Sequence, residues 1–162
     1  MLKKVLNCHI PQLVMALKLI DYGSPEYKQM LQLRYNILRK PLGLEFDTKE
    51  LEREHNDILL GCFDDGKLEG CCLLTQSGHK EVRLRQMAVI SGLQGKGIGK
   101  ALIQFAENIA RDRGFTTICM HARKSAMGFY EKLGYHKVGD EFIEVTIPHY
   151  KMEKKLSQRD TY

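Results

Sequence analysis

A short glycine-rich segment, Gln94-Gly95-Lys96-Gly97-Ile98-Gly99, lies between a strand-like run and an amphipathic helical pattern. Glycine adopts positive φ without a Cβ penalty and lets backbone N–H groups approach a ligand closely. The start of the following helix adds unpaired N–H groups and the positive end of the helix dipole. The segment therefore predicts a binding site for a phosphate or pyrophosphate.

The spacing of the glycines excludes the common nucleotide-binding loops. A Walker A loop would need a glycine at position 94 and Ser or Thr at position 101, where this chain has Gln94 and Ala101. A dinucleotide fingerprint, Gly-x-Gly-x-x-Gly, would place its third glycine at Lys100, and the kinase loop has the same spacing. The remaining pattern is Gln-x-x-Gly-x-Gly, with Gln94, Gly97 and Gly99 as its defining positions.

Three further segments accompany this loop in a familiar order. They are Leu84-Arg85-Gln86-Met87-Ala88-Val89 before it, and Ala126-Met127-Gly128-Phe129-Tyr130-Glu131-Lys132-Leu133-Gly134-Tyr135 and Ile147-Pro148-His149-Tyr150-Lys151-Met152 after it. Over about residues 58 to 156, the chain resembles the GCN5-related N-acetyltransferases. The segments match that family's central strand, its Ala-x-x-Phe-Tyr-x-x-x-Gly-aromatic signature and the Pro-His-x-x-Met ending of some members.

The resemblance implies transfer of an acyl group, usually acetyl, from acetyl-CoA to a primary amine by direct attack in a ternary complex, with no metal. It also implies that the two central strands splay apart around the pantetheine arm. The implied cofactor-binding residues are Met87, Ala88 and Val89 in the strand, Gln94, Gly95, Lys96, Gly97, Ile98, Gly99 and Lys100 in the loop, and Ala126, Phe129 and Tyr130 beyond it. Backbone groups of Met87 and Val89 would meet the arm, and one of their N–H groups would polarise the thioester carbonyl.

The resemblance assigns the general acid to Tyr130, whose phenol would protonate the departing thiolate. Phe129 beside it is expected to be a core residue at the edge of the cofactor site. Arg123 stands where many relatives carry an asparagine that touches the arm, so Arg123 or Lys124 is a candidate phosphate partner instead.

The general base is less well indicated, because the early-strand glutamate of some relatives is replaced by Arg83. The candidates in the closing strands are Glu141, Glu144 and His149, and an imidazole changes charge near neutral pH. Tyr130, His149 and Glu141 are taken as the catalytic residues, and a water chain to the backbone remains an alternative base.

Composition and length indicate an ordinary globular protein. The chain has 162 residues, with 43% hydrophobic and 28% charged residues, which predicts a single domain over residues 1–162. Five cysteines, an odd number, favour reduced thiols and a cytoplasmic location. The net charge of +5 is dispersed along the chain, which argues against nucleic acid as a partner.

The sequence shows no apolar stretch of membrane-spanning length and no metal-ligand spacing among its histidines and cysteines. We therefore expect neither a membrane nor a metal partner. The expected partner is a small-molecule or peptide amine, with the protein a monomer or homodimer.

Alternating strand and helix patterns predict an α/β fold with a three-layer, mixed, mostly antiparallel central sheet flanked by helices. Ser24 is expected to cap a helix that begins at Pro25, and Ser125 to cap the helix that carries Tyr130. Asp65-Gly66 predicts a hairpin turn. Strands are expected at 13–19, 57–63, 68–75, 81–90 and 116–122 and on both sides of Pro148; helices are expected from Pro25 through Leu38, at 48–55, and after the loop as far as Gly114.

Two other functions remain open. A non-catalytic acyl-CoA-binding module would keep the glycine loop and lose the acid–base pair. A nucleotide-binding protein would use the same loop for ATP or NAD, although the spacing above counts against it.

Overall fold

The computed structural model describes residues 15–157 and contains one seven-stranded sheet. The strand order is β1-β2-β3-β4-β5-β7-β6, and neighbours are antiparallel except for the parallel pair β4 and β5. The strands are β1 Ala16–Ile20, β2 Ile58–Asp64, β3 Lys67–Gln76, β4 Glu81–Val89, β5 Thr117–Arg123, β6 His136–Glu144 and β7 Ile147–Lys155, and the helices are α1 Pro25–Arg34, α2 Thr48–Arg53, α3 Ile98–Asp112 and α4 Met127–Lys132. The predicted fold class is confirmed, and residues 13 and 14 of the first predicted strand lie outside the described residues.

Apolar residues cover both faces of the sheet and produce the three layers. On one face, Leu102, Ile103 and Ala106 of the amphipathic helix α3 are completely buried. On the other face, Met30 and Leu33 of α1 pack with residues of β2, β3 and β4 in a second cluster. The alternation of side chains along each strand supplies both faces.

Helix α1 is capped as the sequence predicted, because Ser24 Oγ accepts a hydrogen bond from the Tyr27 N–H at 3.1 Å. The chain then continues as a π-helical turn, Tyr35–Arg39, and a 3₁₀ turn, Lys40–Leu42. The predicted continuation to Leu38 is therefore helical but not α-helical. Gly43, with φ of 67°, ends the segment.

The predicted Ser125 cap is wrong. A 3₁₀ turn, Lys124–Ala126, follows β5 directly, and α4 begins at Met127 with Ala126 as its N-cap and no side-chain capping bond. Ser125 thus lies within the tight turn instead of before the first helical residue, where its hydroxyl would reach the orphan N–H groups.

A buried ion pair holds the segment after α1 against the body of the protein. Arg34 donates two hydrogen bonds to the Glu54 carboxylate, at 2.8 and 2.7 Å, and the Tyr27 hydroxyl donates a third at 2.7 Å. This bidentate geometry compensates the cost of burying both charges. Residues between α1 and Glu54 are thereby positioned as one wall of the cavity described below.

The two hairpin turns have similar backbones and different sequences. Asp65 and Gly66 join β2 to β3 with φ of 47° and 76°, which confirms the predicted hairpin. Val145 and Thr146 join β6 to β7 with φ of 48° and 62°. Positive φ is unfavourable for β-branched residues, so the Val145-Thr146 turn stores strain. Pro148 lies within β7, opposite Ile143, and not between the two strands as the sequence suggested.

Replacing Val145-Thr146 by Asn-Gly should relieve that strain, since both new residues accept positive φ. We expect the free energy of unfolding to rise by about 1 kcal/mol, which raises Tm by roughly 2–4 °C in a chain of this size. Thermal unfolding followed by circular dichroism measures the change. Thr146→Ala, which retains a Cβ at positive φ, is the matched control and should give no increase; equal stability of the Asn-Gly variant and the parent chain would contradict the strain.

Candidate functional site

The candidate functional site is the gap between β4 and β5. These strands pair only from Glu81 to Arg83 and from Thr117 to Cys119. Beyond that point they separate, and a cavity of about 950 Å³ opens between them. The separation leaves the facing backbone edges of both strands free to bind a ligand.

The glycine loop and the start of α3 form one end of this cavity. Gly97, with φ of 89°, is the N-cap of α3, and no side chain caps the helix there. Ala101 donates the first intrahelical bond, to the Gly97 carbonyl at 3.0 Å. The N–H groups of Ile98, Gly99 and Lys100 precede it and have no carbonyl one turn back, which makes this end of the cavity suitable for an anion.

Gln94 connects the loop to the end of β4. Its side-chain amide donates to the Val89 carbonyl at 3.4 Å. The Ile90 N–H donates to the Glu69 carbonyl in β3 at 2.8 Å, so the alternation of an antiparallel strand turns the backbone of Val89 away from β3. Val89 therefore presents backbone groups to the gap, and Met87, which lies where the register with β3 shifts, also lines the cavity.

Eleven of the residues predicted for catalysis or cofactor binding line the cavity. They are Met87, Val89, Gln94, Gly95, Gly97, Gly99, Lys100, Ala126, Phe129, Tyr130 and His149.

Four predicted residues are placed elsewhere. Ala88 and Ile98 have core side chains with 2% and 1% exposure, so only their backbones can reach a ligand. Lys96 is exposed and does not line the cavity. Glu141 on the edge strand β6 pairs with Lys124 at 3.1 Å and is also absent from the lining. Of the two candidate phosphate partners, Lys124 is held in this ion pair with Glu141, whereas Arg123 lines the cavity.

Tyr130 and Phe129 lie beside the loop at the start of α4, with ring centroids 5.1 Å apart. Tyr130 is 8% exposed, and burial raises the pKa of its phenol to about 12, with a further contribution from Cys72. The expectation that Phe129 is a core residue is wrong, because the ring is 41% exposed. A Cβ on Gly99 would lie 3.4 Å from it, so Phe129 covers the first turn of α3 at the cavity surface.

His149 is a buried imidazole whose tautomer is determined by its neighbours. Its Nδ1 lies 2.7 Å from the Ile147 carbonyl, and because a carbonyl can only accept, Nδ1 carries the hydrogen. In the neutral ring Nε2 therefore has the free lone pair, 3.7 Å from Glu144 Oε2. Phe142 stacks on the ring with centroids 5.8 Å apart. The arrangement gives the cavity an oriented proton acceptor next to a carboxylate.

A second histidine connects this pair to the central strand. The Arg83 guanidinium donates to His121 Nδ1 at 2.8 Å, and the same Nδ1 lies 3.2 Å from Glu144 Oε1. A neutral Nδ1 that accepts from Arg83 has no hydrogen to give Glu144. His121 in its neutral form thus orients Arg83, which stands at the position of the missing family glutamate.

Sequence reasoning missed several lining residues on the α1 side of the cavity. Arg83 and Arg85 alternate with buried Val82 and Leu84 in a central strand. Both faces of a central strand are usually covered, so two arginines on one face of it could have indicated a polar cavity there. The others depend on the path of the chain after α1; they are Leu38, Arg39, Leu42, Leu44, Glu45 and Glu50.

Residues 15–157 contain neither a metal-binding group nor a membrane-spanning helix. None of their His, Cys, Asp and Glu side chains form a group of three or more able to hold a metal ion. No helix in that range is long and apolar enough to cross a membrane.

Comparison with known proteins gives consistent matches. Residues 44–156 match the family model described as the acetyltransferase (GNAT) domain. The uncharacterized protein YyaT of Bacillus subtilis (strain 168) is 32% identical over 117 residues, which cover 72% of this chain and 76% of that protein.

Two solved structures share the fold. An aminoglycoside 6'-N-acetyltransferase complexed with coenzyme A has a TM-score of 0.74 at 21% identity, covering 90% of this chain and 99% of that one. The ribosomal-protein-S18-alanine N-acetyltransferase from Escherichia coli has a TM-score of 0.74 at 16% identity, covering 92% and 99%. At these identities the likeness concerns the fold, and the two enzymes are named for different acceptors.

Proposed function

The chain belongs to the GNAT acetyltransferase family, and we propose that it transfers an acetyl group from acetyl-CoA to a primary amine by direct attack in a ternary complex. The observation that supports this most is the continuous cavity between β4 and β5, which joins the uncapped start of α3 to the oriented imidazole of His149. An anion site, a slot and a proton acceptor are the three parts that such a transfer needs.

The described residues fit acetyl-CoA, which would supply a thioester carbonyl activated for attack. The N–H groups of Ile98, Gly99 and Lys100 would hold its pyrophosphate, and Lys100 adds a cationic side chain at the same end. The free edges of Met87 and Val89 would hydrogen-bond the extended arm, as an added strand would. A backbone N–H at this position would also stabilise the charge that develops on the carbonyl oxygen.

His149 is proposed as the general base. Its Nε2 would accept a proton from the acceptor ammonium and free the nitrogen lone pair for attack on the carbonyl carbon. Glu144 would stabilise the imidazolium that results, since its carboxylate lies 3.7 Å away. Glu141 was also predicted as a catalytic residue, but its pairing with Lys124 and its place outside the lining favour His149 with Glu144.

Tyr130 is proposed as the general acid. When the carbon–sulfur bond breaks, its O–H would donate to the thiolate that leaves. Because its pKa is raised to about 12, the phenol keeps its proton throughout the neutral range and remains a donor up to high pH. Since a thiol is the stronger acid, the O–H would act mainly as a hydrogen-bond donor that stabilises the leaving thiolate, and a proton that it does give would be replaced from solvent once coenzyme A has left.

Tyr130→Phe is therefore expected to lower kcat by roughly 10-fold, the value of one hydrogen bond to a charged group. The affinity for acetyl-CoA should be nearly unchanged, because the ring still packs beside Phe129. Steady-state rates across pH, with titration calorimetry for affinity, measure both. Tyr150→Phe, which removes the same hydroxyl from a tyrosine on β7 outside the cavity lining, is the matched control; a Tyr130→Phe rate equal to the parent rate at every pH would remove Tyr130 from the mechanism.

The test of the function itself is release of free thiol from acetyl-CoA in the presence of a panel of amines and peptides. Acetyl-CoA-dependent release with at least one amine, and a mass increase of one acetyl group on that amine, would support the proposal. Binding of acetyl-CoA with no transfer to any amine would favour the non-catalytic binding module. We also propose a single domain that is a monomer or a homodimer. A cytoplasmic location is proposed as well, in keeping with the four described cysteines, which are buried and form no disulfide.

A further inference from the structure

Three arginines, Arg39, Arg83 and Arg85, line the α1 side of the cavity. Arg83 and Arg85 lie on β4, and Arg39 lies in the π-helical turn after α1. Between residues 15 and 157, no carboxylate lies within 4 Å of the guanidinium of Arg39 or Arg85, and Arg83 has only Glu144 at 3.7 Å. The positive charge at this side of the cavity is therefore incompletely balanced by ion pairs.

The hydrogen-bond partners of Arg39 and Arg85 are neutral. Arg39 donates to Gln86 Oε1 at 2.9 Å and stacks over the Phe46 ring at 4.0 Å, and Arg85 donates to Thr75 Oγ1 at 3.4 Å, a long bond. Both guanidinium groups thus keep further N–H donors for a ligand that accepts hydrogen bonds, whereas the buried Nε of Arg83, unpartnered among the described residues, is out of a ligand's reach.

The electrostatic environment agrees with that geometry. Burial, followed by repulsion from Arg85, lowers the pKa of Arg83. Burial lowers the pKa of Arg39 as well, followed by repulsion from Arg34; Glu50 and then Glu54 oppose this shift, and Arg85 adds a smaller repulsion. A bound anion would stabilise all of these charged forms, whereas a polycation would be repelled.

Arg83 and Arg85 are too far along β4 to serve the pyrophosphate. Arg85 precedes Val89 by four residues, a separation of about 13 Å at the usual rise of a strand. Arg83 instead contacts His121 and Glu144, which lie next to His149. The arginines therefore border the acceptor end of the cavity.

We infer that the acceptor is a small amine that also bears a carboxylate, such as an amino acid, and that Arg85 and Arg39 bind this carboxylate. Its ammonium then faces Glu144 and His149 at the other side of the acceptor space. Glu45 and Glu50 also line the cavity, but both are exposed and lie on the segment after α1. This assignment rests on the proposed function and adds to it the chemical class of the acceptor.

The experiment compares matched acceptors and matched variants. Thiol release from saturating acetyl-CoA is measured with L-amino acids, with their carboxamides and with the polyamine spermidine. The proteins are the parent chain, Arg85→Met, Arg85→Lys and the control Arg113→Met, which removes an exposed arginine at the end of α3. Acetyl-CoA affinity is measured for each protein by titration calorimetry.

We expect at least one amino acid to exceed its carboxamide by 10-fold or more in kcat/KM, through a lower KM. Arg85→Met should abolish this preference, Arg85→Lys should restore part of it, and Arg113→Met should leave it unchanged. Acetyl-CoA affinity should be the same in all four proteins, because none of the changes touches the loop.

Equal or better use of carboxamides or spermidine by the parent chain would overturn the inference and leave the proposed function intact. Retention of the preference in Arg85→Met would also overturn it. Acetyl-CoA binding with no thiol release on any carboxylate-bearing amine counts against it as well. Failure of the parent chain to bind acetyl-CoA would instead remove the proposed function, and the inference with it.

Discussion

Replacing Gly97 by valine is expected to weaken acetyl-CoA binding by at least about 100-fold, or roughly 2.7 kcal/mol. Gly97 holds φ of 89°, a conformation that a β-branched residue adopts only with strain. Its added side chain would also project into open space at the cavity end that is proposed to hold the pyrophosphate. Titration calorimetry of the variant with acetyl-CoA measures the loss.

Gly92 offers a matched control for this change. It also has φ of 89° and no atom within 4 Å of an added Cβ, but it does not line the cavity. Gly92→Val should therefore show similar backbone strain and little loss of acetyl-CoA affinity. If Gly97→Val binds acetyl-CoA as tightly as the parent chain, the loop is not the pyrophosphate site.

Replacing His149 by glutamine should lower kcat by about 10³-fold, within the usual contribution of a general base. Glutamine can still bond the Ile147 carbonyl through its amide, but it has no basic lone pair to accept a proton. Steady-state kinetics at saturating acetyl-CoA provide the measurement.

The control for this variant is His136→Gln, since His136 is an exposed histidine on β6 that pairs only with Glu153 among the described residues. It should retain full activity. Both variants should bind acetyl-CoA. Because His149 is 6% exposed and its packing contributes to stability, thermal unfolding of both variants is also measured, and both should unfold cooperatively. A His149→Gln enzyme with the parent kcat would exclude His149 and return attention to Glu144 or a water chain.

The backbone of the glycine loop, Gln94 to Lys100, was predictable because the signals for it are local. Gly95 and Gly97 adopt the positive φ that the loop requires, and the helix that follows begins at Ile98. Ser24 and Asp65-Gly66 were recognised for the same reason, since a cap and a turn depend on neighbouring residues alone.

The acceptor end could not be predicted in this way, because it depends on strand register and on the route of the chain after α1. His149 reaches Glu144 only through the hairpin at Val145-Thr146, whose residues carry no turn signal. Nothing in the predicted helix at 48–55 marks Glu54 as buried, whereas the structure buries it against Arg34. Long-range pairings of this kind leave little trace in a single sequence.

Titration calorimetry of the parent chain with acetyl-CoA, with ATP and NAD as controls, tests the central claim most directly. Acetyl-CoA is expected to bind with a Kd in the micromolar range, and the two nucleotides should bind much more weakly. Absence of acetyl-CoA binding, or equal binding of ATP or NAD, would contradict the assignment of the cavity between β4 and β5 to an acyl-CoA.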